Sequence, residues 1–300
     1  MARSSSVKQN KSDIMTIKEL HNALTDSFKA NGALLLCLAS YQGGDIEHSV
    51  ITPFDNCHNC YSIAKVFTVT AVGMLYDEGR LKTSDKVFDI LKEYFPKEFD
   101  PKWKEVTIHD LLIHTFGISS GFLDIDAEDP QKFGTDYLSY CFSMPLYEDM
   151  KNTRVYSDGA YYILARAVSE IAGMDIRDYL MPKLFTPLGF REVAWSVCPH
   201  GYSMGATGLY IRTDDMIKLG IVYLENGCYR GKRIISKEWV NTVFDRGYEL
   251  RPRSNKQNCY AKGGMYGQML YIDKNEGAVY AWHAHDRNGA VKSALKSLDM

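Results

Sequence analysis

Two residue types at a telling distance, Ser62 and Lys65, open the stretch Tyr61-Ser62-Ile63-Ala64-Lys65-Val66-Phe67-Thr68-Val69-Thr70-Ala71-Val72-Gly73-Met74-Leu75. Its apolar positions cover nearly the whole circumference of a helix, which is the pattern of a buried one. A spacing of three puts both side chains on one face, within reach of each other. A serine hydroxyl is a poor nucleophile unless a neighbour takes its proton. A lysine in apolar surroundings can lose its charge and act as that base, because desolvation disfavours the ammonium. The first turn of a helix also carries backbone N–H groups without helical partners, suited to a developing oxyanion. The alternative for the same pair is a serine N-cap whose lysine snorkels to solvent.

S-x-x-K alone is a weak signal, since chance gives roughly one in a chain of this size. It recurs at Ser5/Lys8 and Ser293/Lys296, both in polar terminal segments, and only the middle copy opens an apolar helix. Just upstream lies Cys57-His58-Asn59-Cys60. A zinc or redox role for this C-x-x-C would need a second ligand pair or a thioredoxin-like context, and the sequence offers neither. These read as loop cysteines shaping the approach to Ser62, and no cofactor or metal is implied.

With 300 residues and 45% hydrophobic content, the chain can bury a large core. A formal net charge of -2 gives no electrostatic case for nucleic acid or an anionic membrane. The polar first 13 residues hold no secretory signal, and no apolar run approaches the ~20 residues of a membrane helix. Seven cysteines, an odd number, read as reduced thiols. The expectation is a cytoplasmic protein acting on a small molecule.

The elements that must position Ser62 follow from periodicity. A helix is expected over 14–31, a strand over 33–39, a turn at Gly43-Gly44-Asp45 and a returning strand over 46–51. After the Ser62 helix the texture turns helical, at 85–94, 107–115, 130–147, 156–173 and 176–188. A glycine-rich run at 203–208 precedes helices at 213–226 and 236–246. Strands at 266–272 and 278–284 are joined by a hairpin turn. The expected fold class is α/β (α+β): an antiparallel sheet built from N- and C-terminal segments, flanked by helices, with an inserted all-helical lobe. Residues 1–13 form a disordered tail, 14–79 with 203–300 the α/β lobe, and 80–202 the helical lobe. The cleft between the lobes is the natural ligand site.

Several stretches succeed one another in a familiar order: Ser62-Ile63-Ala64-Lys65, Thr107-Ile108-His109-Asp110-Leu111-Leu112-Ile113-His114-Thr115-Phe116-Gly117, Tyr156-Ser157-Asp158, Pro187-Leu188-Gly189 and the run from Gly208 to Leu224. In this order they resemble the serine β-lactamase and penicillin-binding-protein superfamily, in its class C β-lactamase-like branch with the related esterases and D-amino-acid peptidases. The resemblance implies a β-lactamase/transpeptidase-like fold and a serine hydrolase that forms an acyl-enzyme. It implies Ser62 as nucleophile, Lys65 as proton-transfer partner and Tyr156 as acid/base.

Two departures bear on the substrate. The second motif ends in Asp158 where the superfamily usually has Asn; an ionised carboxylate only accepts hydrogen bonds. The third motif, K-T-G or H-[TSG]-G, is read at His283-Ala284-His285, with the Asp286 N–H as second oxyanion donor. Asp158, His283, His285 and Asp286 are therefore the expected substrate-binding residues. With the motif placed there, little chain remains beyond it, and the sheet lacks an edge strand that a homo-oligomer can cover. A neutral His283 and an added Asp158 charge make neutral esters better substrates than β-lactams. The competing function is a binding or sensor protein on the same fold that traps an acyl group without turnover. The altered motifs favour it; Ser62, Lys65 and Tyr156 favour the enzyme.

Overall fold

In the computed structural model the described residues are 15–52, 57–253 and 256–298, so the expected tail at 1–13 lies outside them. Thr16 opens α1 (Ile17–Ala30) with a capping box to Glu19. β1 (Leu35–Gln42) and β2 (Asp45–Val50) form a hairpin, and short β3 (Cys57–Asn59) leads through a 3-10 turn into α2 (Ala64–Asp77). The middle of the chain supplies α3 (Val87–Leu91), α4 (Ile108–Ile113), α5 (Tyr137–Phe142), α6 (Asp158–Ala172) and α7 (Ile176–Leu180). Next come β4 (Val193–Trp195), β5 (Leu209–Arg212), α8 (Thr213–Leu224), the small hairpin β6 (Cys228–Tyr229) and β7 (Lys232–Arg233), and α9 (Lys237–Arg246). The chain continues through β8 (Arg251–Arg253), β9 (Lys256–Gly263), β10 (Met269–Asp273), β11 (Ala278–Ala284) and α10 (Ala290–Ser297). No described helix is long and apolar enough to cross a membrane.

Six strands form one antiparallel sheet in the order β2-β1-β11-β10-β9-β8. Side chains alternate between its faces. Tyr280 and Trp282 of β11 pack with Leu24, Phe28, Val291 and Leu295 of α1 and α10. Val279 and Ala281 join the larger core with Met216, Leu219 and Val222 of α8. Both faces are covered, so β11 is buried throughout and reads as an apolar run rather than an alternation. All residues of α2 from Ala64 to Leu75 are buried, as its all-round apolar pattern requires. Gly73 lets the α9 indole lie against that helix: a Cβ there would meet Trp239 at 2.2 Å.

The structure redraws several expected elements. The segment 130–147 is not one helix; a 3-10 turn at Pro130–Phe133 ends at Gly134, with φ +67°, and Asp136 caps α5 afresh. The helix expected over 176–188 ends at Leu180 and passes into a π turn at Met181–Phe185. β4, which falls within the expected helical lobe, pairs with β5 in a second sheet ordered β3-β5-β4. The Cys57–Cys60 segment is not a loop, because β3 pairs with β5; the seven cysteines form no disulfide. β9 has no counterpart among the expected elements, and its presence moves the third motif away from β11.

His283 is the clearest correction. It sits on β11 opposite Cys37, fully buried, with Nδ1 2.7 Å from the Thr213 hydroxyl at the start of α8. It belongs to the packing between sheet and α8, and its polar and ring contacts run to Thr213 and His58 rather than to Ser62, Lys65 or Tyr156. Burial, with a smaller contribution from His58, pushes its pKa down to about 3. An unfolded histidine binds a proton below ~6.5. The folded state therefore refuses a proton that the unfolded state accepts, and stability present above that pH is lost as pH falls toward 3. Between pH 7 and pH 4 this one group should destabilise the fold by about 3 kcal/mol. Urea unfolding of His283→Asn across that range should show a flatter dependence than wild type; equal slopes would remove His283 as the source.

Candidate active site

The serine is placed by the small sheet. The Cys60 N–H donates to the Leu209 carbonyl at 2.8 Å, and the Asn59 side chain accepts the Tyr61 N–H at 2.8 Å. Tyr61 takes the left-handed conformation, φ +48°, which a non-glycine residue adopts only under constraint. The chain then enters the 3-10 turn Tyr61–Ile63 and runs on as α2. Ser62 stands in the first turn of this continuous helical segment.

Lys65 is fully buried and its ammonium spends all three donors: on Ser62 Oγ at 3.2 Å, Asp158 Oδ1 at 2.7 Å and the Ala206 carbonyl at 2.9 Å. Burial alone would depress its pKa. The Asp158 carboxylate outweighs that, with Tyr156 and Glu249 adding to it, and Lys65 is held as an ammonium. Asp158 begins α6, where the helix dipole also suits a negative charge. Tyr156, two residues earlier, donates from its hydroxyl to Ser62 Oγ at 2.9 Å. Its residue surface is 37% exposed, so it forms the open side of an otherwise buried group.

The group contains two residues that no sequence motif had singled out, Lys262 and Glu249, together with His114 of the Thr107–Gly117 stretch. Lys262, near the end of β9, donates to the Tyr156 hydroxyl oxygen at 3.1 Å and is ion-paired with buried Glu249. The second oxygen of Glu249 faces His114 Nε2 at 2.7 Å. His114 caps α4 in the left-handed conformation and lays its ring on Tyr156, centroids 4.7 Å apart. After Lys262 come Gly263 and Gly264. A Cβ on Gly264 would stand 2.6 Å from the Cys60 carbonyl, so only glycine lets β9 approach the start of the Ser62 turn this closely. Lys262-Gly263-Gly264 thus fills the third-motif place expected at His283. Two more strands and α10 lie beyond it. The missing edge strand was a product of the misplacement, and the reason to invoke an oligomer there goes with it.

His285 and Asp286 lie apart from the Ser62 contacts. The His285 ring packs on Tyr266 at 5.0 Å, and the residue lines a 400 Å³ cleft that also takes in Tyr61. The Asp286 N–H is committed to the Tyr266 carbonyl at 2.9 Å, which removes it as an oxyanion donor. Its carboxylate caps the turn into α10, accepting from Asn288, Ala290 and Val291. Cys60 is buried, and burial raises its thiol pKa well above the usual range, which makes it inert. Among the described residues, Asp124, Asp126 and Asp158 bring carboxylate oxygens within 4.8 Å of one another. Lys65 already neutralises Asp158, and the Thr207 hydroxyl bonds Asp126. A groove of 1180 Å³ lies at the far end of α2, around Met74, Tyr76 and Lys183, remote from the serine along that helix.

The comparison with protein families decides the assignment: a profile described as Beta-lactamase matches residues 37–297. The chain belongs to the Beta-lactamase family. Within that family's wider circle, it is 28% identical to penicillin-binding protein 4 of Amycolatopsis lactamdurans over 58% of this chain and 47% of that one. It is 23% identical to the 6-aminohexanoate-dimer hydrolase of Paenarthrobacter ureafaciens, over 78% of this chain and 62% of that one. The chain therefore spans about half to three-fifths of the length of these curated relatives. Among solved structures, a class C beta lactamase from Rhodobacter sphaeroides superposes with a TM-score of 0.67 at 18% identity, covering 93% of this chain and 98% of that one. That likeness is one of fold, and it agrees with the mixed helix and antiparallel-sheet architecture expected for the Beta-lactamase family.

Proposed function

We propose that this protein is a serine hydrolase that works through an acyl-enzyme on Ser62 and cleaves ester or amide bonds of small, preferably neutral, substrates. The observation that carries the reading is the double contact of Ser62 Oγ, with Lys65 Nζ at 3.2 Å and the Tyr156 hydroxyl at 2.9 Å. As Oγ bonds to the substrate carbonyl carbon, its proton passes to the Tyr156 oxygen, while the proton that the Tyr156 hydroxyl holds in the resting site is released toward the leaving group. Breaking the bond to the alcohol or amine leaving group takes that proton from Tyr156. Water then attacks the acyl carbon, gives its proton to the same oxygen, and Ser62 leaves with it. Negative charge on the Tyr156 oxygen is met by the Lys262 ammonium, and Lys65 Nζ lies 4.7 Å from the ring centroid. The Ser62 N–H, with the Met265 N–H just past the Lys262 motif, is assigned to the oxyanion.

Neutral substrates are favoured because both lysines beside Ser62 are already ion-paired, with Asp158 and Glu249. Among the described residues, the 400 Å³ cleft that begins at Tyr61 is lined by Leu34, Leu36, Tyr210, Gln268 and His285 among others, none of them a carboxylate, lysine or arginine. A second reading, acyl capture without turnover, is favoured by one observation: Lys65 has no donor or lone pair left to activate a deacylating water. The seven cysteines without a disulfide suit a reducing, cytoplasmic setting. The test compares nitrocefin with a p-nitrophenyl butyrate assay. Ester kcat/KM should exceed that for nitrocefin by roughly 10²-fold. Nitrocefin equal to or above the ester would overturn the neutral-substrate reading, and a stoichiometric burst with no steady state would select capture.

A further inference from the structure

Glu249 lies between α9 and β8, 2% exposed, in the left-handed conformation at φ +62°. Its Oε2 accepts from the Lys262 ammonium, and Oε1 pairs with His114 Nε2 at 2.7 Å. The direction of the second bond is set by the other side of the ring. His114 Nδ1 accepts the Ser157 backbone N–H at 3.3 Å, so a neutral ring must carry its proton on Nε2. Burial keeps the ring neutral by lowering its pKa against the pull of Glu249. Glu249 thus stands between two donors, and a carboxylate can accept from both where an amide cannot. Burial alone would raise the Glu249 pKa; Lys262 and His114 overcome it and hold the group ionised.

The consequence lies at Lys262. Its side chain is only 10% exposed, and its ammonium bonds to Glu249 and to Tyr156. A ligand carboxylate seeking this cation must displace an anion tethered to the same fold, which competes at high effective concentration. Arg154, exposed on the rim with its guanidinium 5.5 Å from the Tyr156 ring, provides a constant positive background.

We propose that Glu249 is a specificity-determining positioning residue, which holds Lys262 on the Tyr156 hydroxyl and withholds its charge from carboxylate-bearing ligands. The inference deepens the reading of Ser62 as the nucleophile of a neutral-substrate hydrolase and rests on it for the location of the site. Phenylacetate and phenylacetamide, alike in shape and different in charge, are titrated calorimetrically into wild type, Glu249→Gln and Glu249→Gln/Lys262→Met, with circular-dichroism melts to verify folding. Wild type should bind the amide at least as well as the acid. Glu249→Gln should shift the preference toward the acid by about 10-fold or more, and the added Lys262→Met should cancel the shift. Glu249→Asp, which draws the charge back by one methylene, is the second variant should Gln fail to fold; it should give a smaller shift in the same direction. A preference within about 2-fold of wild type, a shift that survives loss of Lys262, or no binding of either ligand to the Glu249 variants would overturn the proposal. Fluorophosphonate labelling of the same samples separates the two readings. A charge shift without Ser62 labelling sinks the hydrolase and keeps the role of Glu249, while labelling without a shift does the reverse.

Discussion

Ser62→Ala should lower p-nitrophenyl butyrate hydrolysis by about 10³-fold or more, the scale on which loss of a nucleophile is felt. Fluorophosphonate labelling should vanish with it. The same change should leave stability within about 1 kcal/mol of wild type, because Lys65 keeps its bonds to Asp158 and Ala206. Tyr156 likewise keeps the bond it accepts from Lys262. Loss of activity with an unchanged melt is therefore the signature of chemistry rather than of packing. Turnover at the wild-type rate in a Ser62→Ala sample free of wild-type protein would remove Ser62 from the mechanism.

Lys65→Met should fail in two ways that can be separated. Activity should fall about 10²-fold or more, because the ammonium that donates to Ser62 Oγ and faces the Tyr156 ring is lost. Stability should fall by about 3–5 kcal/mol, because the change strands the Asp158 carboxylate without its partner, and both side chains are nearly inaccessible. In a chain of this size that is a drop of roughly 5–8 °C in Tm. Lys65→Met/Asp158→Asn should recover most of the stability and none of the activity. Tyr156→Phe should also cost about 10²-fold, and combining it with Lys65→Met should cost far less than the product if the two serve one proton path. Full multiplicativity in kcat, or activity restored together with stability, would count against that path.

The contrast between what the sequence disclosed and what it hid has a physical cause. Ser62 and Lys65 were legible because their relation is local, three residues apart on one helix, and Tyr156-Ser157-Asp158 precedes a strongly periodic one. β11 was legible as an apolar strand, but the face on which His283 lies depended on α8 covering that side of the sheet. β9 was hidden by its composition. Lys256, Gln257, Asn258 and Lys262 give it no hydrophobic alternation, and it is held by backbone pairing to β10 and β8. The signal that could have found it is Lys262-Gly263-Gly264, a lysine and two glycines ahead of the final hairpin. Glu249 left no such trace: its partners, His114 and Lys262, come from distant segments, and no spacing encodes their meeting.

The pairing of β1 with β11 has a bearing on how the molecule is made. β1 lies inside the sheet between β2 and β11, and its residues Leu35 to Ser40 are all buried. β2 leaves the ribosome directly after it, whereas β11 follows only once the whole of the chain between them has been synthesised. At ordinary translation rates the interval is roughly ten to fifty seconds. Throughout it the nascent β1 carries an apolar strand with one unpaired edge, open to association with other chains. The period of greatest aggregation risk therefore belongs to biosynthesis, and a chaperone that shields residues 35–40 until β11 emerges would protect this chain when it is most exposed.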